Sequence, residues 1–337
     1  MLEARIHGGT DAQGQAPHDF STNSNACGPC PAVLKVVQGA DACHYPDPLY
    51  TALREALAAF HAVVVERIVL AASASEFIFR ISAWAAQQAR RQQRTAWVEL
   101  PAHGYGDYRH AAAAWGLVPT DGQAQADLVW TCDPASPMGD EHAGLTQRVD
   151  GLANGQTLVL DGAYRPLRLD GELCLSGAQL DRVWQLWSPN KALGMTGIRA
   201  AYALAPIDAQ TQVAPLEALA PSWPLGAHGC AMLSAWVQPD VQGWLADSRH
   251  ILQGWKQRQL ALCTALGWQP QASVANFHLA TPNTAHIAQA LAALRVQGIK
   301  LRDTHSFGLP GQVRMGVLPP DAQDALWHAW TTFKENR

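Results

Sequence analysis

Charged residues are scarce in this chain of 337 residues, at 15% of the total, whereas 48% are hydrophobic. That balance excludes an intrinsically disordered protein and predicts a large buried core. The formal net charge of −4 offers no basic field, so we expect no nucleic-acid partner. No apolar run approaches the length that crosses a bilayer, and the first residues lead into polar sequence. We therefore predict a cytoplasmic protein with no membrane contact.

Cysteine is present but lacks the pattern of a disulfide framework, because the seven cysteines are odd in number and irregularly spaced. Residues 27–30 read Cys-Gly-Pro-Cys and match a thioredoxin-type redox motif. Such a centre needs a hydrophobic strand before it and a helix N-terminus after it, and the preceding Asn-Ser-Asn-Ala sequence is not typical of a strand. A structural zinc site would need a second Cys or His pair, so we predict no metal.

The length exceeds the size at which a single hydrophobic core usually stops growing, so two domains are expected. From residue 67 onward, short apolar runs alternate with longer amphipathic ones, which predicts parallel βαβ units. The predicted strands are 68–71, 96–100, 128–131 and 157–161, and two more, 183–187 and 200–204, follow them. The predicted helices between them are 75–91, 105–115 and 142–152.

The pattern changes on both sides of this region. Before it, Asp47 should cap a helix that runs to about residue 60, with Leu49, Leu53, Leu57 and Phe60 on one core-facing stripe. After residue 206, the sequence predicts long helical segments over roughly 227–266, strands at 273–280, 300–302 and 312–317, and helices at 284–297 and from 321. This later part predicts an α+β domain.

The most informative stretch is residues 187–199, Trp-Ser-Pro-Asn-Lys-Ala-Leu-Gly-Met-Thr-Gly-Ile-Arg. Lys191 lies between two strand-like runs, with Ser188 before it and Arg199 after it. A lysine can hold an aldehyde as a Schiff base, and the neighbouring hydroxyl, glycines and cation suit a phosphate. Taken alone, the same stretch would also suit a surface lysine in a turn.

A second stretch adds a carboxylate and a phenol. The buried-type run 158–160 ends at Asp161, and Tyr164 follows three residues later. A carboxylate and a phenol suit the protonated ring nitrogen and the phenolic oxygen of a pyridine cofactor.

Together these stretches resemble the fold-type I pyridoxal-phosphate (PLP) enzymes. The resemblance implies an α/β fold like that of aspartate aminotransferase, with a mostly parallel seven-stranded sheet and a smaller α+β domain. It implies that Lys191, Asp161 and Tyr164 are catalytic. The positions that match cofactor-binding residues of the family are Ser73, Ala74, Ser75, Tyr105, Ser136, Asp161, Tyr164, Ser188, Lys191 and Arg199.

Two positions depart from the family pattern. The turn at residues 133–139 has Ser136 where the family has an asparagine that donates to the cofactor's ring oxygen. Serine is shorter, so Tyr164 would make that contact alone or the ring would sit differently. Asn190 precedes Lys191 where many relatives have serine.

The two ends of the chain are similar to threonine-phosphate decarboxylases of cobalamin synthesis, which are relatives of histidinol-phosphate aminotransferases. This resemblance implies an N-terminal arm over the substrate, a homodimer, and a tyrosine, Tyr45, that reaches the partner's cofactor phosphate. It also implies substrate contacts from His7, Asn23, Arg302 and Arg314, and a guanidinium makes a two-pronged contact with carboxylate or phosphate.

We therefore predict an arm over residues 1–44, a PLP-binding domain over 45–206 and a small domain over 207–337. The leading hypothesis is decarboxylation of threonine phosphate, a small phosphorylated amino-acid substrate. The alternative is an aminotransferase acting on histidinol phosphate or another amino acid. A PLP-fold protein that has lost catalysis and serves as a binding module is a third possibility, suggested by Ser136 and Asn190.

Overall fold

The computed structural model describes residues 7–120 and 125–335. The first six residues, on which the expectation about the start of the chain partly rests, lie outside this range. Among the described helices, none is both long enough and apolar enough to cross a membrane.

Within the described residues, the strands and helices alternate through the middle of the chain. In chain order the strands are β1 His18–Asp19, β2 Ile68–Ala71, β3 Trp97–Glu99, β4 Val118–Pro119, β5 Leu128–Cys132, β6 Thr157–Asp161, β7 Trp184–Trp187, β8 Ala201–Leu204, β9 Gln269–Pro270, β10 Phe277–Thr281, β11 Ile299–Lys300, β12 Arg302–Asp303 and β13 Val313–Gly316. The helices are α1 Pro31–Gln38, α2 Thr51–His61, α3 Ala74–Arg91, α4 Gly106–Trp115, α5 Leu145–Asp150, α6 Gly177–Leu180, α7 Gln210–Glu217, α8 Ala227–Trp236, α9 Pro239–Ala265, α10 Ile287–Val296 and α11 Pro320–Glu335.

The large sheet has seven strands in the order β2-β8-β7-β6-β5-β3-β4. Strand β8 runs antiparallel to both of its neighbours, and the other pairings are parallel. The predicted α/β fold with a mostly parallel seven-stranded sheet is therefore confirmed. Because the parallel strands end at one edge, the loops that follow them meet there and form the place where a ligand can bind.

The central strands are buried on both faces, as their continuous apolar sequences predict. Every residue of β5 and β6 is buried, which is the pattern expected when helices cover both sides of a parallel sheet. Helices α3 and α4 pack on one face. Helices α1, α2 and α8 contribute to the core on the other face.

A second, four-stranded antiparallel sheet has the order β12-β13-β10-β9. It packs with α10 and α11 around a separate cluster of buried apolar residues. Strand β1, near the N-terminus, pairs in parallel with β11 in this later part of the chain. The domain boundaries at 44/45 and 206/207 stay predictions.

Two of the four residues predicted for the apolar stripe of α2 are buried, and the other two are exposed. Leu53 and Leu57 are buried, but Leu49 is 71% exposed and Phe60 is 37% exposed. Leu49 precedes the helix, where the Asp47 carboxylate accepts hydrogen bonds from the backbone N–H groups of Leu49 and Thr51 at 3.0 and 2.7 Å. The helical period therefore does not apply to Leu49.

Several short elements have no counterpart in the sequence prediction. They are α1, α6, α7, β4 and β9. Helix α1 follows the Cys-Gly-Pro-Cys segment and begins at Pro31, a favoured first helical residue, whereas α7 contains Pro215, which normally argues against a helix. Helix α5 is shorter than its predicted 142–152, and the predicted 227–266 segment is two helices that separate before Pro239.

Residues 20–30 of the N-terminal arm are held between two parts of the fold. One is the loop at residues 188–200, called the lysine loop, and the other is the four-stranded sheet, called the small sheet. The N–H groups of Asn25 and Cys30 donate to the carbonyls of Lys191 and Leu193, each at 2.9 Å. On the other side, the N–H of Gly316 donates to the carbonyl of Phe20 at 2.7 Å. The arm is thus part of the fold and fixes the backbone around Lys191.

Gly194 allows this contact because its φ is +69° and its α-carbon lies against the arm. A β-carbon at Gly194 would lie 2.3 Å from the carbonyl oxygen of Gly28. We expect Gly194→Ala to destabilise the protein by at least about 1–3 kcal/mol from the backbone strain alone, seen as a lower thermal unfolding midpoint.

Gly197→Ala is the matched control in the same loop, because no atom lies within 4 Å of a β-carbon there and its φ is not left-handed. It should leave the midpoint unchanged or raise it slightly, since alanine restricts the unfolded chain. Equal effects of the two substitutions would contradict the assigned contact.

Candidate active site

The predicted site residues follow strand ends at the same edge of the large sheet. Asp161 is the last residue of β6, and Ser188 directly follows β7. Ser73 follows β2, Tyr105 follows β3 and Ser136 follows β5. The topology therefore brings these distant segments together.

The start of α3 forms an anion-binding corner. Ser73 is the N-cap, and its hydroxyl accepts a hydrogen bond from the Glu76 N–H at 3.1 Å. Helix α3 therefore begins at Ala74, one residue before the predicted start at residue 75. The Ser75 hydroxyl lies 3.1 Å from the Tyr105 hydroxyl. The first N–H groups of the helix, at Ala74 and Ser75, have no intrahelical acceptors and suit an anion.

Two more potential phosphate donors come from the lysine loop. The Ser188 hydroxyl is buried and has no hydrogen-bond partner. Arg199 is exposed, and among the described residues no carboxylate lies within 4.0 Å of it. Asn190 has a structural contact, because its side-chain amide donates to the Ile198 carbonyl at 3.3 Å and closes the loop.

Asp161 is buried, and both of its oxygens accept hydrogen bonds. The Tyr108 hydroxyl donates to Oδ2 at 2.5 Å, and the Ala163 N–H donates to Oδ1 at 2.9 Å. Burial raises the pKa of the Asp161 carboxyl, and these two donors and the Lys191 charge act in the opposite direction. The sequence interpretation missed Tyr108, although its position one helical turn after Tyr105 is a signal that it faces the same side.

Lys191 and Tyr164 lie near each other. The Lys191 ammonium is 5.4 Å from the centre of the Tyr164 ring. The Tyr164 hydroxyl accepts a hydrogen bond from the Asn23 side-chain amide at 3.3 Å, and the Asn23 Oδ1 atom is buried with no partner. The arm thus brings Asn23 to the predicted catalytic residues.

Arg314 is buried beside this group. Its Nη1 donates to the Ser136 hydroxyl at 3.3 Å, and its Nη2 donates to the Ser21 carbonyl at 2.9 Å. Its Nε has no partner, and burial lowers the pKa of Arg314. Because no carboxylate pairs with it among the described residues, the guanidinium can take an anionic group from a ligand.

Arg302 lies directly across the ladder from Arg314 on β12 and β13. It is buried, and burial together with the charge of Arg314 lowers its pKa to about 10. Its guanidinium packs 4.8 Å from the centre of the Phe307 ring and donates to the Ser306 hydroxyl at 2.7 Å. Of the two guanidiniums, Arg314 has the unpartnered Nε among the described residues and is therefore the candidate for an anionic group.

Of the remaining predicted residues, His7 lies at the site and Tyr45 does not. The His7 ring lies 5.9 Å from the Tyr105 ring, so the arm covers the tyrosine. Tyr45 is 78% exposed and stacks on Trp223 at 4.5 Å between ring centres. It makes no contact with the other site residues within the described part of this chain, so its assigned role rests on a second subunit.

The Cys-Gly-Pro-Cys segment does not have the properties of a redox centre. Both cysteines are free, and burial raises the pKa of the Cys27 thiol, whereas a reactive thiol needs a lowered pKa. Cys30 precedes α1 and binds the lysine loop through its backbone. Within residues 7–120 and 125–335, no group of three His, Cys, Asp or Glu side chains could hold a metal.

Comparison with known proteins agrees with this geometry. Residues 119–328 match the model of the family "Aminotransferase class I and II". The chain belongs to this aminotransferase family. A histidinol-phosphate aminotransferase of Ruegeria pomeroyi is 27% identical over 94% of this chain and 91% of its own.

Solved structures of related proteins show the same fold. The histidinol-phosphate aminotransferase of Sinorhizobium meliloti, in complex with pyridoxal-5′-phosphate, aligns with a TM-score of 0.73 and 21% identity over 93% of this chain and 90% of that one. The L-threonine-O-3-phosphate decarboxylase of Porphyromonas gingivalis aligns with a TM-score of 0.75 and 21% identity, over 94% of this chain and 99% of its own.

The aminotransferase family depends on PLP, and the residues present here fit that cofactor. The unpartnered Ser188 hydroxyl and the start of α3 are donors suited to a phosphate. The buried Asp161 carboxylate is an acceptor for a protonated ring nitrogen, and Lys191 follows Ser188 by three residues in the same loop. The protein is thus a PLP-dependent enzyme.

The Tyr108 contact predicts a pH effect. Asp161 has a raised pKa, and Tyr108→Phe removes a donor that favours its ionised form, so the pKa should rise further. The acid limb of kcat/KM and of the absorbance titration of the bound cofactor should therefore move to higher pH by about one unit.

Tyr50→Phe is the control for this prediction, because Tyr50 is a buried tyrosine whose hydroxyl bonds to the Leu225 carbonyl instead. It should leave both pH profiles in place. An unshifted acid limb in Tyr108→Phe would show that the tyrosine only packs in the core.

Proposed function

We propose that this enzyme is an aminotransferase for a small phosphorylated amine, with histidinol phosphate as the substrate to test first. The observation that carries the proposal is the buried Arg314, which interacts with Tyr164 and whose Nε lacks a partner among the described residues. The carboxylate of an amino-group acceptor such as 2-oxoglutarate would offset the burial of this guanidinium. The full-length similarity to a histidinol-phosphate aminotransferase supports this substrate class over the decarboxylase that the sequence interpretation favoured.

In this proposal, the chain would hold PLP through residues from five segments. Lys191 would bind its aldehyde carbon, Tyr105 would stack on its ring, and Tyr164 and Ser136 would serve its ring oxygen. Its phosphate would be bound by Ser73, Ala74, Ser75, Ser188 and Arg199. When bound, PLP acts as an electron sink for the substrate's α-carbon.

The side chains then divide the proton work. The Asp161 carboxylate would hold the ring nitrogen of the bound cofactor in its protonated form. The Lys191 amine would take the proton from the substrate's α-carbon. His7 and Asn23 on the arm cover the substrate and exclude water. These roles require an intact Lys191, so Lys191→Ala should abolish turnover.

The buried Arg314 also favours a second candidate, decarboxylation of threonine phosphate. Histidinol phosphate has no carboxylate, whereas threonine phosphate does, and Arg314 has an unpartnered Nε and free cationic charge. If Arg314 holds the substrate so that the bond to its carboxylate is the one activated, carbon dioxide would leave. If it holds the substrate so that the α-carbon–hydrogen bond is activated, the α-proton would leave and amino transfer would follow. Similarity to a threonine-phosphate decarboxylase over 99% of that chain supports testing this reaction.

Two parallel assays separate the two reactions. The holoenzyme is incubated with histidinol phosphate and 2-oxoglutarate, and glutamate is measured. In parallel it is incubated with threonine phosphate, and carbon dioxide and aminopropanol phosphate are measured. Glutamate formation without carbon dioxide supports the aminotransferase, and the reverse supports the decarboxylase. Lys191→Ala is the control for uncatalysed reaction, and no product from either substrate would leave the binding-module hypothesis.

Arg314→Lys tests which partial reaction uses the carboxylate contact. An ammonium cannot make two parallel bonds in a fixed plane, so reaction with 2-oxoglutarate or threonine phosphate should lose roughly 30- to 1000-fold in kcat/KM. Reaction with histidinol phosphate in a single-turnover assay should lose little, because that substrate has no carboxylate. Equal losses on all three substrates would contradict a carboxylate-binding role.

We also propose a homodimer in which Tyr45 of one subunit binds the cofactor phosphate of the other. Its 78% exposure and its position beside the exposed Trp223 support an interface there. Tyr45→Phe should weaken PLP affinity by about tenfold through loss of one hydrogen bond, with the aromatic stacking kept. Sedimentation should show an intact dimer, and a monomer with unchanged PLP affinity would contradict the assignment.

A further inference from the structure

A cavity of about 770 Å³ lies behind the lysine loop, and nothing in the proposed reaction uses it. It opens between the end of α2, the loop after Tyr164, strand β7 and the first half of α9. Its size is that of a small-molecule site. Its lining includes none of Lys191, Asp161, Arg302 and Arg314.

The buried polar atoms of its lining that lack a partner are all hydrogen-bond donors. Nη2 of Arg67 and Nε1 of Trp187 are buried without an acceptor, and these side chains are 4% and 9% exposed. Arg67 is fixed by its other nitrogens, because Nε donates to the Ala205 carbonyl at 2.6 Å and Nη1 to the Asp181 carboxylate at 2.7 Å. These two atoms have almost no accessible surface, so a ligand in the cavity would meet the partly exposed arginines of the lining, Arg165 and Arg249, instead.

The charge of the lining is positive. Three arginines, Arg67, Arg165 and Arg249, line the cavity, and the one acidic lining residue among those described, Asp181, is already paired with Arg67. His61 is neutral at pH 7, since burial and then the charge of Arg165 lower its pKa to about 4. The surplus charge favours an anion.

Aromatic side chains form the remaining walls. Phe60, Trp187 and Trp236 line the cavity, and the guanidinium of Arg165 lies 4.9 Å from the centre of the Trp187 ring. The Arg165 side chain also makes a long hydrogen bond, from Nη1 to the Gln185 side-chain oxygen at 3.4 Å. An arginine packed against an aromatic ring can still donate from its N–H groups to a carboxylate.

We propose that this cavity is a second ligand site, for a small aromatic carboxylate. The carboxylate would accept hydrogen bonds from Arg165, and the aromatic body would pack against Phe60 and Trp236. Arg165 and Trp187 are the chain neighbours of Tyr164 and Ser188, so the ligand would lie directly behind the active site.

The test is calorimetric titration of the PLP-loaded enzyme with indole-3-carboxylate and with its neutral amide. We expect saturable binding of one carboxylate per subunit at this cavity and weaker binding of the amide by at least about tenfold. Arg165→Gln should weaken carboxylate binding by about tenfold or more, and Gln242→Trp, which places an indole into the cavity from α9, should block it.

Two control variants distinguish binding at this cavity from a general loss of charge and from binding at the active site. Arg258→Gln removes an arginine from α9, the helix that carries Gln242, at a position outside the cavity where it pairs with Asp324. It should change the affinity for the carboxylate by less than about twofold. Arg314→Lys should leave binding at this cavity intact. Binding that is lost in Arg314→Lys but kept in Arg165→Gln would assign the carboxylate to the active site and overturn the proposal, as would the absence of binding or equal affinity for the amide.

Discussion

The backbone contact between the arm and the lysine loop is the constraint on which the rest of the site depends. Asn25 and Cys30 hold the carbonyls of Lys191 and Leu193 from one side, and Gly194 permits the close approach to Gly28. These bonds give the buried N–H groups of Asn25 and Cys30 their acceptors.

The same arm also reaches the small sheet, so one segment couples the two halves of the site. The Ser21 carbonyl accepts from Arg314, and the carbonyls of Asn23 and Ser24 accept from Asn276 at 3.4 and 3.2 Å. Asn23 itself turns toward Tyr164. Arg314 is therefore positioned relative to Lys191 through a short path of hydrogen bonds and not through the long chain between them.

The ionisable side chains of this site are buried within the protein itself. Asp161 has a raised pKa, and Arg302 and Arg314 have lowered ones, each mainly because burial disfavours the charged form. Groups in this condition interact strongly with a charged ligand, because little water must be displaced when it arrives. The lining of the cavity beside β7 is also cationic, with Arg67, Arg165 and Arg249.

The sequence by itself determined the large sheet and the family of the chain. Uninterrupted apolar runs such as 157–161 specify buried parallel strands, and the resemblance to PLP enzymes predicts Asp161, Tyr164, Ser188, Lys191 and Arg199 as site residues, because cofactor chemistry restricts which residue types can occupy those positions. Only the tertiary structure decided the contacts that join distant segments. The hydrogen bond from Tyr108 to Asp161, the arm's hold on the lysine loop and the cavity around Arg165 have no local period or motif, since they depend on how separately formed elements pack. The exposure of Leu49 and the cap at Ser73 differ from the sequence prediction for a related reason: a helix start is fixed by a few local hydrogen bonds, and a shift of one or two residues changes which side chains face the core.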